Sequence, residues 1–408
     1  MRIAVIFAHL GPYHQARLQA CARGCDLTAV QVFARSSEYG WQTGVQPRDY
    51  KVVTLFEEET NSAGQKRELD RKMTQALDAC RPRVVFVPGW SGRAAFSALR
   101  WCLRHEIPAV AMSDSTAWDE RRVWWKERVK KRIVRLFSAA LVAGNPHRDY
   151  LLQLGVPADR IFLGYDVVDN DYFRQKADEI RARENEARTT HALPKNYFLA
   201  SARFVEKKNL PRLLRAYARY RAASEKSTSP SREPPPSDPW SLVLLGDGPL
   251  HPELRQLVSD LGLHDSVQMP GFKQYDELPL YYALAGAFIH ASTTEQWGLV
   301  VNEAMASCLP VLISNRCGCA SDLVQEERNG FPFDPYDLEA CAKLMWLMSQ
   351  LPAVARHEMG RESGRIIAAW DLDRFVTGLS EAARRAGEIK SPRPTCLDRR
   401  LLQALLLR

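Results

Sequence analysis

Short apolar runs, each about one strand long, recur along the chain and are closed by Gly, Pro or Ser. The first half contains RIAVIFA, LTAVQVF, RVVFVPG, IPAVAM and AALVAG. The second contains NYFLASA, SLVLLGDG, SVQMPG, GAFIHAS and PVLISN. Longer stretches with helical spacing separate them. A strand that is apolar on both faces must be covered on both faces, so these runs predict parallel sheets packed between helices. Two sets of runs predict two Rossmann-like, doubly wound α/β domains facing a cleft. A chain of 408 residues has the length for two domains.

The stretch DEIRARENEARTTHALPK, residues 178–195, passes from charged to polar to Pro and reads as the joint. The expected divisions are an N-terminal domain over 1–185, a C-terminal domain over 191–370 and a helical segment over 371–408. That segment ends in the amphipathic CLDRRLLQALLLR, and its helices are expected to cross back to the first domain. The Ser/Pro-rich SEKSTSPSREPPPSDP, residues 224–239, reads as a disordered surface loop, with a ligand for a proline-reading module as the alternative.

No apolar run reaches the roughly 18 residues of a membrane span. The opening MRIAVIFAHLGPYHQA lacks the cleavage site of a signal peptide. Nine cysteines are present, none in CxxC spacing, and the Cys317–Gly318–Cys319 run is too tight for a metal knuckle or an easy disulfide. This pattern predicts free thiols and a reducing, cytoplasmic location. The formal net charge is +8, and most of it lies in residues 1–190, where Lys and Arg outnumber Asp and Glu by 30 to 23. A basic first half suggests an anionic partner: a membrane surface, nucleic acid or an acidic glycan.

Chemistry concentrates in STTEQWGLVVNEAMA, residues 292–306, where Glu295 and Glu303 stand eight residues apart around Gly298. On one continuous helix they would point about 80° apart. If the helix begins near Gly298, Glu295 falls in the loop before it and Glu303 in its second turn. Both then line one pocket, with the helix's first N–H groups, those of Leu299 and Val300, between them as an anion site. Arg203 and Lys208, in RFVEKK, follow the first strand of the second half. They fall at the carboxyl edge of that sheet, where open α/β folds bind ligands. Arg offers a planar fork to phosphate oxygens and Lys a point charge. The turn Gly246–Asp247–Gly248 follows the strand SLVLL and reads equally as a nucleotide-side loop or a plain tight turn.

The frame Glu295-Gln-Trp-Gly-Leu-Val-Val-Asn-Glu303-Ala resembles the E-x7-E motif of family 4 glycosyltransferases, the glycosyl transferases group 1 domain. The segments SARFVEKKNL, LLGDGPL, GFKQYDELPLYYALAGAFIHAS, MASCLPVLISNRCGCASDL and LGVPADRIFLGYDVVDNDYF are also similar, so the likeness covers most of residues 150–335. Cys308 stands where that family usually has Gly, and Asp322 where it has Glu. The resemblance implies the GT-B type of fold and a retaining transfer of a sugar from a nucleoside diphosphate sugar. The acceptor would be a glycan, a lipid-linked acceptor or a small molecule. Nucleic acid is not an expected partner, and the chain alone leaves the oligomeric state open. The resemblance further implies that Glu295 holds hydroxyls of the transferred sugar and that Glu303 accepts from paired ribose hydroxyls. Arg203, Lys208 and the helix start would then neutralise the diphosphate, with no cofactor and no metal expected.

In the first half, Gly11 opens a helix after the first strand and is expected to face the donor phosphates, and His14 to meet donor or acceptor. A helix-start histidine without a ligand fits His14 equally. Ser113 and Asp114 stand where many members of the family have a histidine, which assigns Asp114 to the acceptor side. The Asp169–Asn170–Asp171 run is like the metal motif of a different glycosyltransferase fold. It sits in a connector, and Asp171 reads instead as a helix cap. Arg121 to Arg135 hold eight Lys or Arg and one acid, with Trp125, Val129, Ile133 and Leu136 at helical spacing. This is either an ordinary outer helix or a peripheral contact with an anionic membrane, such as the inner face of the plasma membrane. Two rival functions share the architecture: a nucleotide-sugar epimerase, which needs no acceptor, and a non-catalytic membrane or complex scaffold.

Overall fold

The structure is a computed structural model that describes residues 1–35, 40–41, 49–60, 62–226 and 238–407. Residues 227–237 of the Ser/Pro-rich stretch lie outside the described residues.

Thirteen strands are described. β1 (Arg2–Phe7), β2 (Asp26–Phe33), β3 (Lys51–Phe56), β4 (Val84–Pro88), β5 (Ala109–Ser113), β6 (Ala139–Val142) and β7 (Ile161–Leu163) form one sheet. β8 (Tyr197–Ser201), β9 (Ser241–Leu245), β10 (Val267–Gly271), β11 (Ala287–His290), β12 (Val311–Ser314) and β13 (Gly330–Phe333) form the other. The first sheet has the order β3-β2-β1-β4-β5-β6-β7 and the second β10-β9-β8-β11-β12-β13, every pair parallel. Each sheet is doubly wound: the chain starts in the middle, runs out to one edge, returns, and runs to the other.

All ten apolar runs form strands, and three further strands carry weaker signals. β3 is an edge strand holding Lys51 and Thr54, β7 is three residues long, and β13 contains Gly330 and Pro332. None reads as a continuous apolar run, because an edge strand is covered on fewer sides.

The compact units are Met1–Asp169 with Asp371–Arg408, and Asn170–Trp370. The division thus falls after Asp169 rather than at 185–191. The helix Asn170–Arg181 packs on Leu278–Leu284 and Leu299–Ala306 of the second unit, and Arg181 donates to the carbonyls of Ala283 (3.0 Å) and Ser307 (2.5 Å). A charged, polar stretch reads as a linker even when it is a solvated helix whose inner side chains dock. The helix Leu372–Glu388 lies against β5, β6 and β7, and Cys396–Leu407 against the helix Arg93–His105, so residues 371–407 complete the first unit.

Candidate functional site

In the second unit the chain reverses its winding between β8 and β11, which are neighbours in the sheet. The loops leaving those two strands meet at their carboxyl ends, where a doubly wound sheet leaves a crevice. After β8 the chain makes one 3-10 turn, Glu206–Lys208. Asn209, buried at φ +59°, staples that turn down: its amide donates to Ala291 O (3.0 Å) and Pro335 O (2.9 Å). Thr293 N donates to Lys207 O at 2.9 Å, so the two loops are also joined main chain to main chain.

This arrangement brings Lys208 onto Glu295. The Lys208 ammonium donates to Glu295 Oε2, and neither side chain is much exposed. His290, at the end of β11, reaches the same Oε2 through Nε2 at 3.0 Å, and Ser292 Oγ lies 3.4 Å from it. Ser292 Oγ also sits 3.0 Å from His290 Nε2. Burial raises the Glu295 pKa, but the Lys208 charge and the His290 bond outweigh it, and the carboxyl is held well below its usual range. Burial depresses the His290 pKa against the pull of Glu295, so the ring is neutral. An ionised carboxylate only accepts, so neutral His290 presents Nε2–H to it.

The turn after β12 straps Glu295 from behind. Gly318 N donates to Glu295 O (3.0 Å), and Cys319 N to Trp297 O (3.2 Å). Cys317 and Cys319 are buried in that strap and form no disulfide. Gly298 caps the next helix, Leu299–Ala306, at φ +107°, a conformation glycine adopts without penalty. The helix therefore starts where the spacing of the two glutamates required. Leu299 and Val300 are half-buried in its first turn, which leaves backbone N–H groups without intrahelical partners.

Glu303 departs from expectation. It does lie in the second turn, but on the inner side of a helix packed against β11, β12 and two other helices, and it is 0% exposed. Tyr282 donates to its Oε2 at 2.6 Å. It is a covered carboxylate, not an open wall of a pocket. Arg203 is half-buried in the loop just past β8. The Gly246–Gly248 turn presses on that loop: a Cβ on Gly246 (φ +129°) would stand 1.8 Å from Ala202 O. Phe204 N donates to Asp247 O (2.8 Å), and Leu250 N to Phe204 O (3.0 Å). Exposed Asp247 takes His251 Nδ1 at 2.8 Å, and that bond lowers its pKa. Cys308, five residues past Glu303, has φ +56°, in the left-handed region that favours glycine.

The first unit holds the remaining sequence-derived residues. Gly11 caps the helix Pro12–Ala22, and its own N–H donates to His14 Nδ1 at 3.2 Å. That N–H is thus spent within the turn, contrary to the expectation that it faces phosphate. His14 packs on Phe7 with ring centroids 4.4 Å apart. Burial, then Arg17 and His9, push its pKa down to about 3, so it is a neutral cap. Asp114 is half-buried just after β5. Asp171 lies inside the first turn of Asn170–Arg181 and pairs with Arg174 (2.6 Å). It is not the cap, because Asn170 already begins the helix. Asn170 anchors that start through Ile367 O at 2.8 Å.

Sequence reasoning missed His290, Ser292 and Asn209, although HAS and KKN stand inside the quoted motifs. It also missed Arg17, 1% exposed, which bonds Val167 O (2.9 Å) and Asp166 (3.2 Å).

The basic helix is Trp124–Val134, and its charges divide. Lys130 pairs with Glu120 and Glu127, and Arg132 with Asp398, so both are committed to the fold. Ile133 and Leu136 are buried, whereas Trp125 is 46% and Trp124 74% exposed. Arg121, Lys126, Arg128, Lys131 and Arg135 are exposed, and Trp124, Arg128, Lys131 and Arg135 share one face at helical spacing. No helix among the described residues is long and apolar enough to cross a membrane.

Residues 182–363 match the family model for glycosyl transferases group 1. The chain is 33% identical over 156 residues to a GDP-mannose-dependent alpha-(1-6)-phosphatidylinositol monomannoside mannosyltransferase of Mycobacterium tuberculosis. That match spans 36% of this chain and 40% of the relative. Sucrose-phosphate synthase from Thermosynechococcus elongatus has the same fold, with TM-score 0.72 and 18% identity over 94% of this chain and 98% of that one. So has Anabaena Alr3699/HepE, solved in complex with UDP-glucose, with TM-score 0.69 and 16% identity over 93% and 98%.

Proposed function

We propose, on the premise that residues 182–363 match the family model for glycosyl transferases group 1, that the protein is a retaining glycosyltransferase. It would use a nucleoside diphosphate sugar as donor. The observation that carries this reading is the cluster at the β8/β11 crevice. There Glu295 is held ionised by Lys208, His290 and Ser292 just before a helix start, and Arg203 lies in the same loop after β8 as Lys208. A diphosphate needs positive charge and N–H donors, and a hexose needs an oriented acceptor for its hydroxyls. The named donor of the mannosyltransferase relative, GDP-mannose, belongs to the same class.

In this reading Arg203, Lys208 and the N–H groups of Leu299 and Val300 meet the diphosphate. Glu295 orients the sugar, and Glu303 takes the ribose hydroxyls once the cover over it parts. The bond from C1 to the phosphate oxygen breaks with its electron pair going to that oxygen. The acceptor oxygen bonds C1 from the same face, and its proton passes to the leaving phosphate. Charge growing on the phosphate is what Arg203 stabilises, so no divalent ion is required. The acceptor is a glycan or a lipid-linked acceptor, and the protein works at the inner face of an anionic membrane. The exposed Trp124, Trp125, Arg128, Lys131 and Arg135 of the basic helix support that location.

The test is a thermal-shift screen of UDP, GDP, ADP and dTDP and their sugars, followed by acceptor-dependent release of nucleoside diphosphate in excess chelator. Stabilisation by one nucleotide series and acceptor-dependent turnover are expected. No stabilisation by any of them would sink the reading. Conversion of donor without acceptor would point to an epimerase, and restoration by magnesium or manganese would reopen the Asp169–Asp171 metal motif.

A further inference from the structure

Lys208, a proposed phosphate ligand, already has its charge engaged by a carboxylate of the same site. Glu295 Oε2 collects Lys208, His290 and Ser292, whereas among the described residues no donor reaches its Oε1. We infer that Lys208 is an exchangeable counter-ion: an arriving diphosphate draws its ammonium off Glu295, and His290 and Ser292 keep the carboxylate in place. This rests on the reading above, in which Lys208 meets the diphosphate.

Three features make the exchange physically reasonable. His290 and Ser292 are buried on a strand end and its loop, so they hold Oε2 without Lys208. The lysine side chain has a flexible four-carbon stem and a point charge, so it can turn between two anions without a fixed fork. The exchange also frees acceptor capacity on Glu295 when the donor's sugar arrives, since the donor withdrawn from Oε2 leaves a lone pair open to a hydroxyl. The Lys208 cation is thus stored against the site's own carboxylate, and the donor's charge unlocks the sugar-binding oxygen.

The expected effect has an unusual sign. Removing a carboxylate from a binding site normally weakens binding. Here Glu295→Gln leaves Lys208 partly buried and unpaired, and a diphosphate supplies the missing anion. The nucleoside diphosphate alone should therefore bind Glu295→Gln about tenfold or more tighter than wild type. The corresponding sugar nucleotide should gain less, because its hydroxyls lose their acceptor. Structural damage would weaken both.

The experiment is calorimetric titration of wild type, Glu295→Gln, Lys208→Met and the double variant with UDP, GDP, ADP and dTDP. The tightest binder is then repeated as its glucose or mannose ester. The thermal melt of each variant serves as the folding control. In the Lys208→Met background the gain from Glu295→Gln should largely vanish, since no ammonium is left to release. An equal gain in both backgrounds, or none in either, overturns the exchange. If Lys208→Met binds the diphosphate as well as wild type does, the phosphate role of Lys208 falls instead.

Discussion

Replacing Glu303 separates what holds the second unit together from what binds nucleotide. Its carboxylate is wholly buried and accepts from Tyr282 at 2.6 Å. Glu303→Ala removes the hydrogen bond from the Tyr282 hydroxyl at a site water does not reach, which costs about 1–3 kcal/mol. In a unit the size of Asn170–Trp370, each kcal/mol moves the melting midpoint by about 2–4 °C, so a fall of roughly 2–12 °C follows. Tyr282→Phe deletes only the donor. It should destabilise less, because the carboxylate keeps its other surroundings. If Glu303 also serves paired ribose hydroxyls, Glu303→Ala loses a further 1–3 kcal/mol or so of nucleotide affinity, and Tyr282→Phe loses almost none. Differential scanning calorimetry supplies the midpoints and titration of the stabilising nucleotide supplies the affinities. Equal affinity losses in the two variants would refute the ribose role and leave Glu303 a structural brace. Unchanged midpoints in both would refute the buried bond.

Arg203→Lys keeps the charge but loses the fork, and intermediate turnover is expected. Arg203→Ala should lose on the order of 100-fold or more, mostly in kcat, and a loss confined to KM would contradict a transition-state role. Gly246→Ala drives a methyl into Ala202 O at a left-handed φ, so a stability loss of about 1–3 kcal/mol and weaker nucleotide binding are expected; a wild-type melt would mean the two loops part freely. Glutamate at Arg128, Lys131 and Arg135 should abolish sedimentation with anionic vesicles without unfolding the protein, each cation contributing about 1 kcal/mol. The same change at Lys130 and Arg132 should instead lower the melting midpoint, because those two are paired within the fold. The His290 pKa is depressed on folding, so the unfolded chain binds the extra proton. Stability held above about pH 6.5 is therefore lost as pH falls below it, and denaturation midpoints at pH 7.5 and 5.5 should show a smaller drop for His290→Gln.

Local pattern was enough for much of this protein. Continuous apolar runs ended by Gly and Pro identify buried parallel strands, because burial on both faces suppresses alternation. Gly298 marks the start of its helix for an equally local reason, since few residues but glycine adopt its backbone angles readily. The spacing of Glu295 and Glu303 was legible to the same degree: one before the helix, one in its second turn. Which way Glu303 points was not. Eight residues at helical pitch give an angle relative to Glu295, but only the packing of Leu299–Ala306 on β11 and β12 decides that the angle faces the core. Likewise Lys130 and Arg132 look no different in sequence from Arg128, until Glu120 and Asp398 arrive from other elements. The pairing of Lys208 with Glu295 spans 87 residues. It exists because β8 and β11 become neighbours where the sheet reverses its winding, and their loops are stapled together by Asn209 and Thr293. Periodicity reports how much of a segment is buried, whereas the partner of a polar group is set by which loops the topology brings to one edge.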